Sequence, residues 1–220
     1  MIRNISFLSL IIVLLGSVSC SEEPKDSGLP HLGLHDVEYK TVDGEQVTDT
    51  TYATIPEFSY LNQDSILVKS SDMKGKIWIA DFFFSTCPTI CPVMTTQMKR
   101  LNRMTEDIKE HLQFLSFSIN PDHDKPSVLR DYIDHHGIEA SNWHFLTGDE
   151  EETHELGVDH FLVHAQSDED APGGFAHSPA FVLIDQEGVV RGVYLGTNTK
   201  DVDKLEKDLR LLFSAEYGIK

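Results

Sequence analysis

The chain has 220 residues and carries 18 lysine and arginine residues against 36 aspartate and glutamate residues, a formal net charge of −18 at pH 7. Binding to a phosphate backbone needs a basic face, so this charge argues against a nucleic-acid partner. The length is sufficient for one domain with its own hydrophobic core, and the acidic surface is explained by the solubility of an exposed domain.

Residues 1–19 have the pattern of a secretory signal peptide. Arg3 supplies a short positive region, and the apolar stretch at 10–15 is shorter than the roughly 20 residues that a membrane-spanning helix needs. Small residues then precede Cys20, which predicts a lipoprotein-type site where Cys20 becomes the lipidated first residue. We therefore expect a lipid anchor to a membrane, on the extracytoplasmic side of a bacterial cell envelope. An ordinary cleaved signal or a short uncleaved anchor is the alternative.

The three cysteines of the chain are Cys20, Cys87 and Cys91. Lipidation of Cys20 leaves a single pair, and an exported protein has little use for an odd free thiol. One pair in a chain this long is not a disulfide framework of the kind that stabilises small secreted domains. Cys87 and Cys91 are therefore interpreted as a functional pair.

The remaining chain divides into a polar segment and one patterned domain. Residues 20–50 show no clear period, which predicts a flexible tether with at most a short strand at 37–39. The pattern of residues 51–220 predicts eleven elements, in two groups. The first group, in chain order, is a hairpin within 58–68, a buried strand at 76–84, a helix at 91–105, a strand at 114–119 and a helix at 126–135. The second is a strand at 143–146, a helix at 150–156, a loop at 168–174, strands at 180–184 and 189–194, and a helix at 200–213. This order is the thioredoxin layout, so we expect an α/β thioredoxin-like fold with a central mixed sheet flanked by helices and an N-terminal β-hairpin extension.

The segment with the clearest chemical signal is 85–92, Ser-Thr-Cys-Pro-Thr-Ile-Cys-Pro, where a buried strand gives way to a helix. Cysteines four residues apart share one face of a helical turn, about 6 Å apart along the axis, which allows a disulfide or a shared metal ion. The helix N-terminus favours thiolates. A thioredoxin-type redox pair is normally separated by two residues; the three here leave more room for an ion, and two thiolates favour Cu(I), with zinc second.

A third ligand is expected from histidine, of which the chain has 11. His177 lies just before the predicted strand at 180–184 and two residues ahead of Pro179. In a thioredoxin fold the loop that precedes this strand faces the cysteines and often holds a cis-proline, and Pro179 fits that position. His177 is therefore the candidate ligand, and a surface histidine in a flexible loop is the alternative.

Three blocks of the sequence, 81–92, 118–126 and 177–185, resemble the motifs of the Sco/SenC family. The resemblance implies a membrane-anchored thioredoxin fold that binds one copper ion per chain through Cys87, Cys91 and His177. It also implies delivery of copper to the binuclear copper centre of cytochrome c oxidase, or reduction of the cysteines of that centre. The expected partner is then the copper-bearing subunit of cytochrome c oxidase, or another copper or thiol protein. Two positions depart from the family pattern: Asn120 replaces the usual aspartate, and Pro179 replaces an aliphatic residue.

The main alternative to a metallochaperone is an enzyme, a thiol–disulfide oxidoreductase of the cell envelope. Cys87 would then be the nucleophile and Cys91 the resolving thiol. A redox or copper sensor is a third class. His160 and His164 form a weaker candidate pair on a helix, and the methionine stripe of the 91–105 helix is interpreted as core. We expect a monomer, because no long exposed apolar stripe remains.

Overall fold

The computed structural model of the protein describes residues 26–42, 44–168 and 171–218. The predicted signal peptide and Cys20 lie outside the described residues. None of the helices in these three ranges combines the length and the apolar composition that crossing a bilayer requires.

The described residues form strands and helices in nearly the predicted order. The strands are β1 (His35–Val42), β2 (Glu45–Tyr52), β3 (Ser59–Asn62), β4 (Leu67–Lys69), β5 (Ile77–Phe83), β6 (Leu112–Ser118), β7 (Trp143–Thr147), β8 (Ala165–Ser167), β9 (Phe175–His177), β10 (Ala180–Ile184) and β11 (Val190–Leu195). The α-helices are α1 (Cys91–Met104), α2 (Pro126–His136), α3 (Glu150–Glu155) and α4 (Thr199–Tyr217). Short 3-10 turns cover Ser70–Met73 and Glu106–His111, and a π-helical turn covers Leu156–His160.

Seven of the strands form the central sheet, in the order β11-β10-β5-β6-β7-β3-β4. Strands β5, β6 and β7 are parallel to one another. Strand β10 joins β5 antiparallel, and β3 joins β7 antiparallel, so that a hairpin closes the sheet at each edge. This is the predicted central mixed sheet, with the β3–β4 hairpin as its N-terminal extension.

The core is built on strand β5, whose residues are all buried because the strand lies between β6 and β10. Continuous apolar sequence is what such a strand requires. Met94, Met98 and Leu101 of α1 are buried, which confirms the predicted stripe, whereas Met104 is half-buried. Helix α4 packs against α1 and β11, and α2 lies against β3 and β7.

The N-terminal part contains more regular structure than the sequence predicted. Strands β1 and β2 pair along their whole length, and nearly all of their residues are exposed. Exposed polar strands leave no hydrophobic period in the sequence, which is why at most a short strand at 37–39 was expected. Ahead of this hairpin, the guanidinium of Arg191 donates to the carbonyl oxygens of Leu29 and Pro30, at 2.8 and 3.0 Å. The hydrogen bonds that order this segment therefore come from a residue far along the chain.

Candidate metal centre

The two cysteines and the histidine come from three different local structures. Cys91 is the first residue of α1, whereas Cys87 lies in the loop between β5 and α1, and His177 is the last residue of β9. The prediction of both cysteines on one helical turn was therefore wrong for Cys87. A residue that precedes proline is disfavoured in the helical region, and Pro88 follows Cys87 directly.

The three side chains nevertheless meet. The sulfurs of Cys87 and Cys91 and a ring nitrogen of His177 all lie within 4.8 Å of one another, and they form the one such group of three or more potential metal ligands among the described residues. The Sγ of Cys91 lies 3.4 Å from Nε2 of His177. Bonds of about 2.0–2.3 Å to nitrogen and sulfur place two ligands of one ion up to about 4.6 Å apart, so the cluster has the size of a metal site.

The two thiols are free rather than joined in a disulfide, and their acidities differ. A hydrogen bond from the Cys91 thiol lowers the pKa of Cys87, and a further hydrogen bond with His177 lowers it again against the effect of burial. The same bond to Cys87, together with burial, raises the pKa of Cys91. Without metal, these hydrogen bonds therefore favour the thiolate on Cys87 and the protonated thiol on Cys91.

Cys87 reaches solvent through a cleft rather than at an exposed helix tip. Cys87 is 7% exposed and Cys91 is 1% exposed. A cleft of about 400 Å³ borders on Cys87 and His177, and Cys91 is not among the residues that line it. Its walls are mainly apolar and include Phe84 and Phe175. A partner would therefore meet Cys87 and His177 first.

Aromatic rings hold His177 from one side. The ring of Phe84 lies edge-on to the imidazole, with ring centres 5.7 Å apart, and Phe175 packs on Phe84 at 5.3 Å. The Nδ1 atom of His177 is buried and has no hydrogen-bond partner in the described part of the chain. The nitrogen that faces Cys91 is Nε2, so the arrangement presents Nε2 to the sulfurs.

Asp81 is a buried acid of strand β5 near this group, and it was not among the predicted site residues. Its Oδ1 accepts a hydrogen bond from the Ser116 hydroxyl at 2.5 Å. Burial raises the pKa of Asp81 to about 7, against the opposing effects of the Ser116 hydrogen bond and the nearby His177. A polar residue within the apolar run of 77–84 was the signal in the sequence.

Other predicted features are placed differently. Among the described residues no peptide bond is cis, so the expected cis-proline at Pro179 is absent. The β8–β9 hairpin, not a cis-proline loop, carries His177 to the cysteines, because Ala165 and His177 are paired in its register. His160 ends the π-helical turn and His164 lies in the irregular stretch beyond it, so the two do not share a helix as predicted.

The fold and the site define a thioredoxin-like protein with two thiols and an imidazole grouped at one end of its sheet. The family model described as SCO1/SenC matches residues 46–213, and the chain belongs to this family. The SCO1 protein homolog of Bacillus subtilis is 31% identical over 170 residues, which are 76% of this chain and 86% of that protein.

Solved structures of the family share the fold. A SCO1/SenC family lipoprotein from Bacillus anthracis is 36% identical, with a TM-score of 0.67 over 73% of this chain and 95% of the other. BsSco, a member of the Sco family of cytochrome c oxidase assembly proteins in which a disulfide switch was identified, is 29% identical, with a TM-score of 0.64 over 72% and 92%. ScoI of Bradyrhizobium japonicum, solved with copper bound, is 19% identical with a TM-score of 0.61 over 73% and 99%, which shows a common fold.

Proposed function

We propose that this protein is a copper chaperone that binds one copper ion through Cys87, Cys91 and His177 and passes it to a partner. The observation that carries the proposal is the group of two thiols and one imidazole within 4.8 Å, in a chain of the SCO1/SenC family. Thiolate ligands select Cu(I), and imidazole suits copper in either oxidation state. Two thiolates and a neutral imidazole give a net charge of −1 with Cu(I) and zero with Cu(II), so the site suits both.

The cleft beside Cys87 supplies a route for transfer by ligand exchange. A thiolate of the partner would enter the cleft and bind the ion next to Cys87 and His177, which line it, while the more deeply buried Cys91 is displaced last. The proposed partner is the copper-bearing subunit of cytochrome c oxidase, or another copper or thiol protein. The description of BsSco as a cytochrome c oxidase assembly protein supports this choice.

Membrane attachment through a lipid on Cys20 is part of the proposal, and it places the protein on the extracytoplasmic side of a bacterial cell envelope. The SCO1/SenC lipoprotein of Bacillus anthracis supports it. Mass spectrometry of the N-terminal peptide from the expressed full chain tests it. We expect a diacylglycerol-modified Cys20 in the wild type and a water-soluble protein for Cys20→Ala; an unmodified Cys20 in the membrane fraction would refute lipidation.

Copper titration of the reduced full chain in detergent tests the site. We expect one retained copper per chain after desalting, and its loss in Cys87→Ala and in Cys91→Ala. His164→Ala is the matched control, because His164 lines the cleft but is not part of the three-residue group. Zinc is titrated in parallel. A wild-type chain that retains no copper, or that prefers zinc, would overturn the proposal.

The second candidate is a thiol–disulfide oxidoreductase, which the proximity of the two thiols and the lowered pKa of Cys87 favour. Cys87 would attack a partner disulfide and release one thiolate, and Cys91 would then displace the second thiol while the pair becomes a disulfide. The partner gains two electrons, and an external dithiol must reduce Cys87 and Cys91 again. Catalytic turnover of a model disulfide with dithiothreitol as reductant, without stoichiometric copper retention, would favour this function over the chaperone.

A further inference from the structure

Of the three grouped residues, Cys87 has the least support from regular structure. Cys91 is held by helix α1, and His177 is paired with Ala165 in the β8–β9 hairpin. The position of the Cys87 sulfur depends on the loop at 84–90, within which the amide of Cys87 donates to the carbonyl of Phe84 at 3.1 Å. The position of this loop relative to the sheet therefore depends on contacts with residues outside the loop.

A buried carboxylate from the following β–α connection fills this role. Asp124 is 0% exposed and lies between β6 and α2. Its Oδ2 accepts from the backbone amide of Ser85 at 3.0 Å and from the Ser118 hydroxyl at 2.6 Å. Its Oδ1 accepts from the Ser85 hydroxyl and, at 2.9 Å, from Nδ1 of His123. We call Asp124, Ser85, Ser118 and His123 the Asp124 cluster.

The local backbone aims this carboxylate at the loop. The amides of His123 and Asp124 both donate to the carbonyl of Asn120, at 3.2 and 2.9 Å, which closes a tight turn directly after β6. Pro126 then begins helix α2. Asp124 therefore lies between a hydrogen-bonded turn and the first turn of a helix.

Half of the donors in the cluster belong to Ser85, which follows Phe84 and precedes Cys87 by two residues. The ring of Phe84 in turn contacts His177. The contact between Asp124 and Ser85 therefore fixes the backbone on both sides of Ser85. It sets the path of the loop toward Cys87 and the position of the Phe84 ring beside His177. Ser118, by contrast, belongs to the sheet and reaches the metal group through no described contact of its own.

We infer that Asp124 is a positioning residue for the metal site: it touches no metal ligand, and through Ser85 it holds Cys87 in the arrangement that places its sulfur beside Cys91 and His177. The inference rests on the proposed copper function for one of its readouts. It also makes a claim about the metal-free thiol pair, which can be tested without copper.

The test compares Asp124→Ala with the matched variant Ser118→Ala in the full chain in detergent. Ser118→Ala removes one hydrogen bond to Asp124, whereas Asp124→Ala removes all four and alone releases Ser85. Three quantities are measured: Cu(I) affinity by competition with a chelator, the absorption band of Cu(II)–thiolate charge transfer, and the midpoint of Cys87–Cys91 oxidation in glutathione buffers. Melting temperature and near-ultraviolet circular dichroism report the fold.

We expect Asp124→Ala to weaken Cu(I) binding by about tenfold, the scale of one hydrogen bond to a charged group, and to shift both the band and the midpoint. Asp124→Asn can still accept the Ser85 amide in one orientation and should restore most of the loss. Ser118→Ala should leave all three readouts near the wild type even where it lowers the melting temperature.

Outcomes that overturn the inference are separate from those that overturn the copper function. A wild-type chain that binds no copper refutes the proposed function, and the oxidation midpoint then still decides the role of Asp124. Asp124→Ala with unchanged affinity, band and midpoint, or with changes equal to those of Ser118→Ala, would reduce Asp124 to an ordinary structural residue. Should Asp124→Ala not fold, Ser85→Ala replaces it and removes one of the two hydrogen bonds between Ser85 and Asp124. An oxidation midpoint shifted further than that of Ser118→Ala supports the inference, and a midpoint equal to that of Ser118→Ala overturns it.

Discussion

The two ends of strand β5 each have a buried carboxylate, and the two are used differently. Asp124 binds the loop that leaves the strand after Phe83, next to the thiols. Asp185 follows β10 at the opposite end, where Ile184 is paired with Trp78 and the Trp78 indole donates to the carbonyl of Asp185 at 3.2 Å. A strand of this length spans about 20 Å, so the two carboxylates mark opposite poles of the domain.

The partners of the two carboxylates explain the difference. Asp185 accepts from the guanidinium of Arg191 at 3.1 Å, and Arg191 also donates to the N-terminal segment at Leu29 and Pro30. Asp124 binds two serine hydroxyls, a backbone amide and an imidazole, with no guanidinium among them. We call the two ends of the domain the Asp185 pole and the Asp124 pole. The Asp185 pole attaches the start of the described chain to the sheet, whereas the Asp124 pole shapes the loop that carries the Cys87 thiol. We expect substitutions at the first pole to change stability and those at the second to change chemistry.

The largest loss of folding stability is expected from Arg191→Ala. Removal of one partner of a buried ion pair leaves an uncompensated charge, at a cost of about 3–5 kcal/mol, and both side chains here are at most 7% exposed. For a chain of this size the melting temperature should fall by roughly 10 °C, measured by calorimetry. Copper bound per folded chain should not change, because the thiols lie at the other pole.

Lys40→Ala is the control for Arg191→Ala. Lys40 pairs with Asp49 on the exposed β1–β2 hairpin, and both side chains are more than half exposed. Such a pair contributes at most about 1 kcal/mol. A melting temperature for Arg191→Ala no lower than that of Lys40→Ala would contradict the structural role of the Asp185 pole. A loss of bound copper per folded chain in Arg191→Ala would contradict the claim that the Asp185 pole affects stability without affecting the metal site.

At the other pole, His177→Ala should discriminate between the oxidation states of copper. Two thiolates can hold Cu(I) without the imidazole, whereas Cu(II) depends on nitrogen ligation. We expect the affinity for Cu(II) to fall by at least about tenfold and that for Cu(I) by much less, with an unchanged melting temperature of the metal-free chain. Equal Cu(II) affinity in His177→Ala and in wild type would remove His177 from the proposed ligand set.

The pH dependence of stability gives a smaller effect that involves both poles. The pKa of Asp81 is raised to about 7, mainly by burial, and burial likewise raises that of Glu216, beside Asp185, to about 7. Between about pH 4 and pH 7 the folded chain keeps a proton that the unfolded chain has released, so each acid lowers stability as the pH rises through this window. Asp81→Asn should therefore gain melting temperature relative to wild type from pH 5 to pH 7, and no further above pH 8.

Glu216→Gln supplies the comparison between the poles. It should show the same gain in melting temperature over the same window, because the cause of the raised pKa is the same. It should leave the oxidation midpoint of the thiol pair unchanged at every pH, whereas Asp81→Asn should alter the pH dependence of that midpoint, since Asp81 lies near Cys91 and His177. If the melting temperatures of Asp81→Asn and Glu216→Gln differ from that of the wild type by the same amount at every pH, neither acid has a raised pKa in the folded chain.

Much of the fold could be predicted from the sequence because its signal is local. The apolar run of β5 and the stripe of Met94 and Met98 on α1 are periodic patterns with one structural solution. The proximity of His177 to the cysteines was also predictable, because the thioredoxin layout brings the start of β10 to the end of β5. The order of elements therefore made His177 the candidate ligand, with a surface histidine as the alternative, and the resemblance to the Sco/SenC motifs favoured His177.

What could not be predicted depends on contacts between distant residues or on very short elements. Strands β8 and β9 have three residues each, too few for a period, so the hairpin that carries His177 was not foreseen. The contacts of Asp124 with Ser85 and of Arg191 with Pro30 join residues 39 and 161 positions apart. Their partners follow from the folded arrangement, and a single sequence contains no signal for them.

The smallest predicted effect separates local from distant control of Cys87. The Thr89 hydroxyl lies 3.7 Å from the Cys87 sulfur, a weak contact beside the stronger bond to Cys91. Thr89→Val keeps the shape and removes this contact. Because the metal-free pair favours the thiolate on Cys87, a thiolate with one stabilising contact fewer is more nucleophilic, so the alkylation rate of Cys87 at pH 6 should rise by about twofold. The rate is followed by mass spectrometry of the Cys87 peptide in the reduced, metal-free chain.

Thr96→Val is the matched control for Thr89→Val, since the Thr96 hydroxyl donates within α1 to the Pro92 carbonyl. The alkylation rate of Cys87 is then compared between Asp124→Ala and the double variant that carries both Asp124→Ala and Thr89→Val. If Asp124 positions the loop, its loss must displace the Thr89 contact as well, so adding Thr89→Val to Asp124→Ala should have no further effect on the rate. Fully additive effects would mean that Thr89 acts on Cys87 independently, and that the Asp124 pole does not set the geometry of the thiol.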